Sequence, residues 1–393
     1  MAFSSFVERI GGDGADAWTI HYEAKRRAER GEDVIVLSVG DHDFHTPDDV
    51  VARAVTSLRS GRTHYTNVEG ERDLRERIAA VHHGITGQAV EADNVVVVPG
   101  AQCGLFSTLL CVAEAGDEVI SPEPRYATYE ATIKAGGATI VGVPMRPETG
   151  FRLDPADVEA AITPRTRAVV INTPHNPSGA VMSRADVEAI AEICRARDIW
   201  LISDEVYAAM TYDAPHVSPA GLPGMADRCA VVSSLSKSHS MTGWRLGWVV
   251  GPKDLAGHLY NLMMCMLYGA QPFIQDAAVT ALETAPDQFR ALYRRRRDLV
   301  CAALDAIPGI AYHRPASGMF VMIDIRESGL SSSAFAQGLL DQEGLSLLPA
   351  DAFGPSARGY VRLSLGADDA RLADACRRLA RFVASGGRSR ATG

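Results

Sequence analysis

The sequence predicts an α/β layered fold with a mainly parallel sheet, joined to a smaller α+β region. Short apolar runs alternate with helical stretches through the middle of the 393-residue chain, the pattern of strand–helix units. The last hundred or so residues change character, with a basic helix leading into strand, helix and strand. Hydrophobic residues make up 47% and charged residues 22%, which suits a globular chain with a real core.

In order, Asn94–Val98 reads as a strand and Ala101–Ala113 as a helix. Glu118–Ile120, Thr139–Val143 and Ala168–Asn172 read as strands. Arg184–Ala196 reads as a helix, followed by strands at Trp200–Ser203, Ala230–Ser233 and Leu246–Val250. The C-terminal region reads as a helix at Gln288–Ala306 and strands at Met319–Ile325 and Tyr360–Leu365. A boundary near Pro286 gives a large domain of residues 46–285, with 1–45 and 286–393 forming a smaller one. The Gly-, Ser- and Arg-rich tail from Ser385 to Gly393 reads as disordered.

The net charge of −9 makes nucleic acid and anionic membrane poor partners. The run Arg294–Arg297 reads as a solvated helix face. Seven dispersed cysteines without a C-x-x-C pair suggest reduced thiols in the cytoplasm. No secretion signal and no apolar run of membrane-spanning length is expected.

In parallel sheets, ligands sit at the carboxyl ends of strands, so post-strand residues matter most. Pro99-Gly100-Ala101-Gln102 opens a helix, where backbone N–H groups favour an anion such as phosphate. Asn172-Thr173-Pro174-His175-Asn176-Pro177-Ser178-Gly179 is a stiff turn that holds Asn176 at the sheet edge; an Asx turn would look the same. Trp200–Tyr207 ends an apolar strand in Asp204 and Glu205, with Tyr207 beyond. No G-x-x-x-x-G-K-[ST] loop accompanies it, which argues against a nucleotide hydrolase. There, a buried carboxylate can hold a proton on a pyridine nitrogen, and a phenol can bond an adjacent hydroxyl. Ser233–Gly247 carries Lys237 in a hydroxyl-rich turn with Ser234 and Ser236, and Arg245 eight residues on. Lysine forms Schiff bases when burial lowers its pKa, and serine with arginine suits a phosphate.

Taken together, the ordered elements resemble fold-type I, class I/II aminotransferases. They are Tyr65 in Tyr-Thr-Asn-Val-Glu-Gly, Gly100-Ala101-Gln102, Tyr126, Asn176-Pro177-Ser178-Gly179, Asp204-Glu205-Val206-Tyr207, Ser234-x-x-Lys237, Gly243-Trp244-Arg245-x-Gly247 and Arg362-Leu-Ser. More narrowly, the chain is similar to arginine–pyruvate transaminases in residues 12–18, 203–207, 216–220, 222–228, 234–245 and 352–357.

The resemblance implies a large domain with a seven-stranded sheet and pyridoxal 5′-phosphate held by Lys237 as a Schiff base. It implies that Asp204 faces the ring nitrogen, Tyr207 and Asn176 the ring hydroxyl, and Tyr126 the ring face. Ala101 and Gln102 (backbone and side chains), Ser234, Ser236 and Arg245 would take the phosphate. Tyr65 would reach the phosphate of a neighbouring subunit in a homodimer. Gly40, Asn176 and Arg362 would meet the substrate, Arg362 through its α-carboxylate. The partners implied are an amino acid, basic or guanidino, and a 2-oxo acid such as pyruvate. Alternatives are a modified or cyclic guanidino acid of the enduracididine type, or lyase, oxidase or sensor use of the same scaffold.

One loop departs from the family. Gly40-Asp41-His42-Asp43-Phe44 has His42 where the family has proline. Asp41, His42, Asp43 and His45 resemble a metal cluster, but no second ligand motif accompanies them and no metal is expected. Asp41, Asp43 and Glu69 are candidate partners for a substrate cation. Trp18 and Tyr22 are candidate pocket covers.

Overall fold

A computed structural model describes residues 3–11 and 18–386; six of the seven residues of the 12–18 stretch, and 387–393 of the tail, lie outside it. Its first strand, β1 (Ile35–Val36), pairs in parallel with β11 (Leu345–Ser346). Two-residue strands carry no readable periodicity, so this pairing was not expected.

Seven strands build the large sheet: β2 (Val95–Val98), β3 (Glu118–Glu123), β4 (Thr139–Pro144), β5 (Thr166–Asn172), β6 (Trp200–Asp204), β7 (Cys229–Ser234) and β8 (Gly247–Val250). Their order is β2-β8-β7-β6-β5-β3-β4. β4, β3, β5, β6 and β7 run parallel, and β8 runs antiparallel between β7 and β2. The apolar runs are continuous because both faces are covered. Val95, Val97, Val169, Ile171, Leu201 and Val231 pack on one side, with helices Arg72–Thr86, Arg184–Arg197 and Pro272–Glu283. Val96, Val98, Ala168, Val170, Ile202 and Val232 pack on the other, with helices Ala101–Val112, Tyr129–Ala135 and Lys253–Met266. This two-residue alternation is the strand pleat expressed as two cores.

A third core joins Ile20, Ala24, Val34, Ile35 and Leu37 to the last quarter of the chain. There β12 (Leu348–Pro349), β13 (Tyr360–Ser364), β10 (Phe320–Asp324) and β9 (Ala311–Tyr312) form an antiparallel sheet. Among the described residues no helix is long and apolar enough to cross a membrane.

The arginine run is not a uniformly solvated face. Arg296 and Arg297 are 4% and 2% exposed, on the same helix (Asp287–Leu304) as buried Phe289, Tyr293, Val300 and Leu304. Four consecutive residues span more than one helical turn, so part of the run must point inward. Each buried cation is paired: Arg296 with both oxygens of Asp43 at 2.7 Å, Arg297 with Asp213.

Candidate active site

The carboxyl ends of β2, β5, β6 and β7 converge on a cavity of about 310 Å³. Its lining includes Gly40, Ala101, Gln102, Tyr126, Asn176, Asp204, Tyr207, Ser234, Ser236, Lys237, Arg245 and Arg362. Of the residues expected to meet cofactor or substrate, Gly100 and Tyr65 do not line it. Gly100 stands directly behind it: a Cβ there would collide with the Arg245 guanidinium, and its φ of +83° favours glycine. Tyr65 is 90% exposed, with its ring 6.0 Å from that of Tyr268.

One end of the cavity suits an anion. Helix Ala101–Val112 begins here, and the first N–H groups of a helix have no intrahelical acceptor. Ser234 and Ser236 lie beside it, with the Ser236 N–H on Ser234 Oγ at 3.3 Å. Arg245 is held by Nη1 donating to Thr242 O at 2.7 Å. The Gln102 side chain is tethered to its neighbours and keeps one Nε2 hydrogen for an anion. Its Nε2 donates to Thr132 Oγ1 at 2.8 Å and its Oε1 accepts from Thr128 Oγ1 at 2.6 Å.

The two carboxylates that end β6 behave oppositely. Glu205 is buried, yet its carboxyl is held below its usual pKa by His216, with Nε2 at 2.9 Å, and by hydroxyl bonds from Ser203 and Ser218. Burial pushes Asp204 up to about 6, with the Glu205 charge adding to it. Against this, Tyr129 Oη donates to Asp204 Oδ2 at 2.5 Å and the Val206 N–H to Oδ1 at 3.3 Å. Asp204 is therefore the carboxylate that gains from a cationic N–H.

Tyr129 was not singled out from sequence, because a tyrosine on an apolar helix face reads as core. Asn172 is the second such residue: its Nδ2 donates to Asp204 O at 3.1 Å and its Oδ1 accepts the Asn176 N–H at 2.8 Å. A bond to an ionised carboxylate contributes about 1.5–3 kcal/mol. Tyr129→Phe should therefore raise the Asp204 pKa further and lower kcat roughly 10- to 100-fold with little change in KM. Steady-state kinetics of the folded variant check this.

Lys237 opens onto the cavity but is surrounded by protein. Burial lowers its pKa to about 8, helped by Arg362 and Arg245 and opposed by Asp41. Its Nζ donates to Gly40 O at 2.5 Å. Arg362 is 2% exposed and no carboxylate pairs with it among the described residues. Nη1 donates to Asn176 Oδ1 at 3.0 Å and Nη2 to Ser38 O at 3.2 Å, while Nε has no hydrogen-bond partner. Its guanidinium lies 3.9 Å from the Phe320 ring centroid. Burial lowers its pKa to about 10. A buried cation with only neutral partners is poised for an anion.

The loop acids separate cleanly. Asp43 is taken by Arg296, and Glu69 stands 3.3 Å from Arg75 Nη2. Neither lines the cavity of its own protomer. Asp41 does line the cavity, with Oδ1 accepting from the His42 N–H at 2.9 Å and Thr242 Oγ1 at 2.7 Å. Trp18 lines the cavity, whereas Tyr22 is 59% exposed and does not. Among the described residues no group of three or more His, Cys, Asp or Glu is arranged to hold a metal.

The family model for aminotransferase class I and II matches residues 32–379. Arginine–pyruvate transaminase AruH of Pseudomonas aeruginosa is 56% identical to this chain, over 97% of this chain and 98% of its own length. An aspartate aminotransferase of Pyrococcus horikoshii is 33% identical over 91% and 92%. Among solved structures, aspartate aminotransferase from Thermus thermophilus with maleate superposes with a TM-score of 0.92 at 31% identity, covering 97% of this chain and 99% of that one.

Proposed function

We infer the reaction from one premise: this chain belongs to the class I and II aminotransferase family, whose members depend on pyridoxal 5′-phosphate. We propose that it moves an amino group between a guanidino amino acid, arginine first, and a 2-oxo acid such as pyruvate. The relationship to the Pseudomonas enzyme supports the substrate pair. The observation that carries the reading is Arg362, a buried guanidinium without a carboxylate, facing the same cavity as Lys237.

The residues present fit the cofactor. The helix start at Ala101 and Gln102, with Ser234, Ser236 and Arg245, offers N–H, hydroxyl and guanidinium donors for its phosphate. Asp204, buried and short of a cation, suits a protonated ring nitrogen. Asn176 spends Oδ1 on Arg362, which leaves Nδ2 to donate, with Tyr207 Oη, to the ring hydroxyl oxygen. Tyr126 covers a ring face. When bound, the cofactor supplies the electron sink for a carbanion at the substrate Cα. Lys237 would hold it covalently, and the lysine amine would carry the Cα proton. Arg362 binds the α-carboxylate and Gly40 borders it. Asp41 takes the guanidinium, supported by its place on the cavity wall and a carboxylate oxygen, Oδ2, left over from its two Oδ1 bonds.

We further propose a cytoplasmic homodimer in which the partner subunit's Tyr65 reaches the phosphate, a role that suits a tyrosine so exposed on its own protomer. The division into 46–285 and 1–45 with 286–393 is supported by the core shared between Ile20–Leu37 and the last quarter.

A half-reaction screen tests the substrate. Arginine should discharge the visible cofactor band faster than ornithine, alanine or aspartate, giving pyridoxamine phosphate stoichiometrically. Release of ammonia or uptake of oxygen, or preference for aspartate, would count against the proposal. Asp41→Asn should lower kcat/KM for arginine roughly 10- to 100-fold, the worth of one charged hydrogen bond, and leave alanine almost unchanged.

A further inference from the structure

Residues 40–46 form a strap laid along the loop that carries Lys237. Gly40 O accepts from Lys237 Nζ, and Asp41 Oδ1 accepts from Thr242 Oγ1. The Phe44 carbonyl accepts from Ser240 Oγ at 2.8 Å, and Thr46 Oγ1 donates to Ser240 O at 2.6 Å. On its other side the strap meets one face of helix Asp287–Leu304, because residues 289, 293 and 296 share a face. Phe289 stacks on Phe44 with centroids 4.9 Å apart and planes 5° apart. Arg296 grips Asp43.

His42 is where one ring hydrogen-bonds both neighbours. Its Nε2 stands 3.2 Å from Ser236 O and its Nδ1 2.7 Å from Tyr293 Oη. The Ser236 carbonyl can only accept, so Nε2 carries the hydrogen. Burial and the Lys237 charge disfavour a second proton on the ring, with Asp41 and Asp43 opposing more weakly. Nδ1 is therefore a lone pair and Tyr293 O–H donates to it. The bonds run in one direction, from Tyr293 through His42 to the residue before the lysine. A proline at this position, as in the family pattern, offers neither bond.

We propose that His42 is a positioning residue for Lys237: its Nε2–H form, selected by Tyr293, pins the Ser236 carbonyl and holds the lysine amine under Gly40 O in a poorly hydrated pocket. The proposal rests on Lys237 being the cofactor lysine.

The test titrates holoenzyme by the visible absorbance of the lysine-linked cofactor and measures kcat and KM on the same preparations of His42→Ala, His42→Gln and Tyr293→Phe. In His42→Ala, water reaching the Lys237 nitrogen stabilises the protonated, lysine-linked form that the absorbance reports, so the midpoint should rise by about one pH unit. A misplaced amine should lower kcat roughly 10-fold while KM stays within about 2-fold. Tyr293→Phe should move both part of the way, and His42→Gln, whose amide restores an N–H toward Ser236, should bring both back toward wild type. A purely structural role would lower the unfolding temperature and leave the midpoint in place; that result in folded His42→Ala overturns the proposal. If His42→Ala does not fold, Tyr293→Phe decides in the same way. Borohydride trapping on Lys237 in each variant keeps the two readings separate: loss of attachment in Lys237→Ala alone leaves the lysine assignment standing whatever His42 does.

Discussion

Lys237→Ala should reduce kcat by about 10⁴-fold or more, since the same amine holds the cofactor and moves the Cα proton, and positioned proton transfer alone is worth about 10²–10⁴-fold. Borohydride followed by mass spectrometry should find no covalent adduct in the variant. An adduct on any other lysine would sink the assignment. The substitution also carries a pH signature. Lys237 has a folded pKa of about 8 against 10.5 for the ordinary side chain. Between these values the unfolded chain binds more protons, so in cofactor-free protein this group's contribution to stability rises with pH over that window. Below about 8 the group is destabilising throughout. Lys237→Ala should therefore flatten the rise in unfolding free energy between pH 8 and 10.5, measured by denaturant titration.

Arg362→Leu should separate function from stability. The lost bonds to the α-carboxylate, each worth about 1.5–3 kcal/mol, should lower kcat/KM for every α-amino acid by roughly 10²–10³-fold. Cofactor binding should persist, because Arg362 meets Asn176 and Ser38 and not the phosphate end. Stability should barely move. Holding this guanidinium without an anion depresses its pKa from 12.5 to about 10, which corresponds to roughly 3 kcal/mol. Removing it relieves that cost while orphaning Asn176 Oδ1 and Ser38 O, at about 1–3 kcal/mol each. These effects oppose one another, so the thermal midpoint of the cofactor-free protein should stay within about 3 °C of wild type. A collapse in midpoint would mean that Arg362 is a structural cation; unchanged kinetics would remove it from the site.

Much of this was readable in the chain. The inner strands of the large sheet announce themselves as apolar runs, because burial on both faces removes polar residues, while the less buried edge strand β4 is marked by its β-branched residues. The post-strand turns then lead to the chemistry: Asn176 after β5, Asp204 and Tyr207 at the end of β6, Ser234 and Lys237 at the end of β7. The structure gathers these, with Arg362 from β13, around one cavity.

Other features depend on pairs far apart in sequence. Nothing local distinguishes Asp41 from Asp43; Arg296, more than 250 positions later, claims one and leaves the other on the cavity wall. Asp204 and Glu205 are separated by a later loop: His216 and Ser218, with neighbouring Ser203, keep the second charged, while the first stays short of a cation. Tyr129 and Gln102 acquire their roles from neighbours 75 and 26 positions away.

Lys237, the strand-end chemistry and the α/β layering are legible from residue order, since periodicity, turn-forming residues and motif spacing are short-range properties. The charge state of each acid, the idle Arg362 guanidinium and the clasp of His42 between Tyr293 and Ser236 emerge only in the folded chain. Desolvation and hydrogen bonding act between atoms a few ångströms apart, and packing alone brings these atoms together.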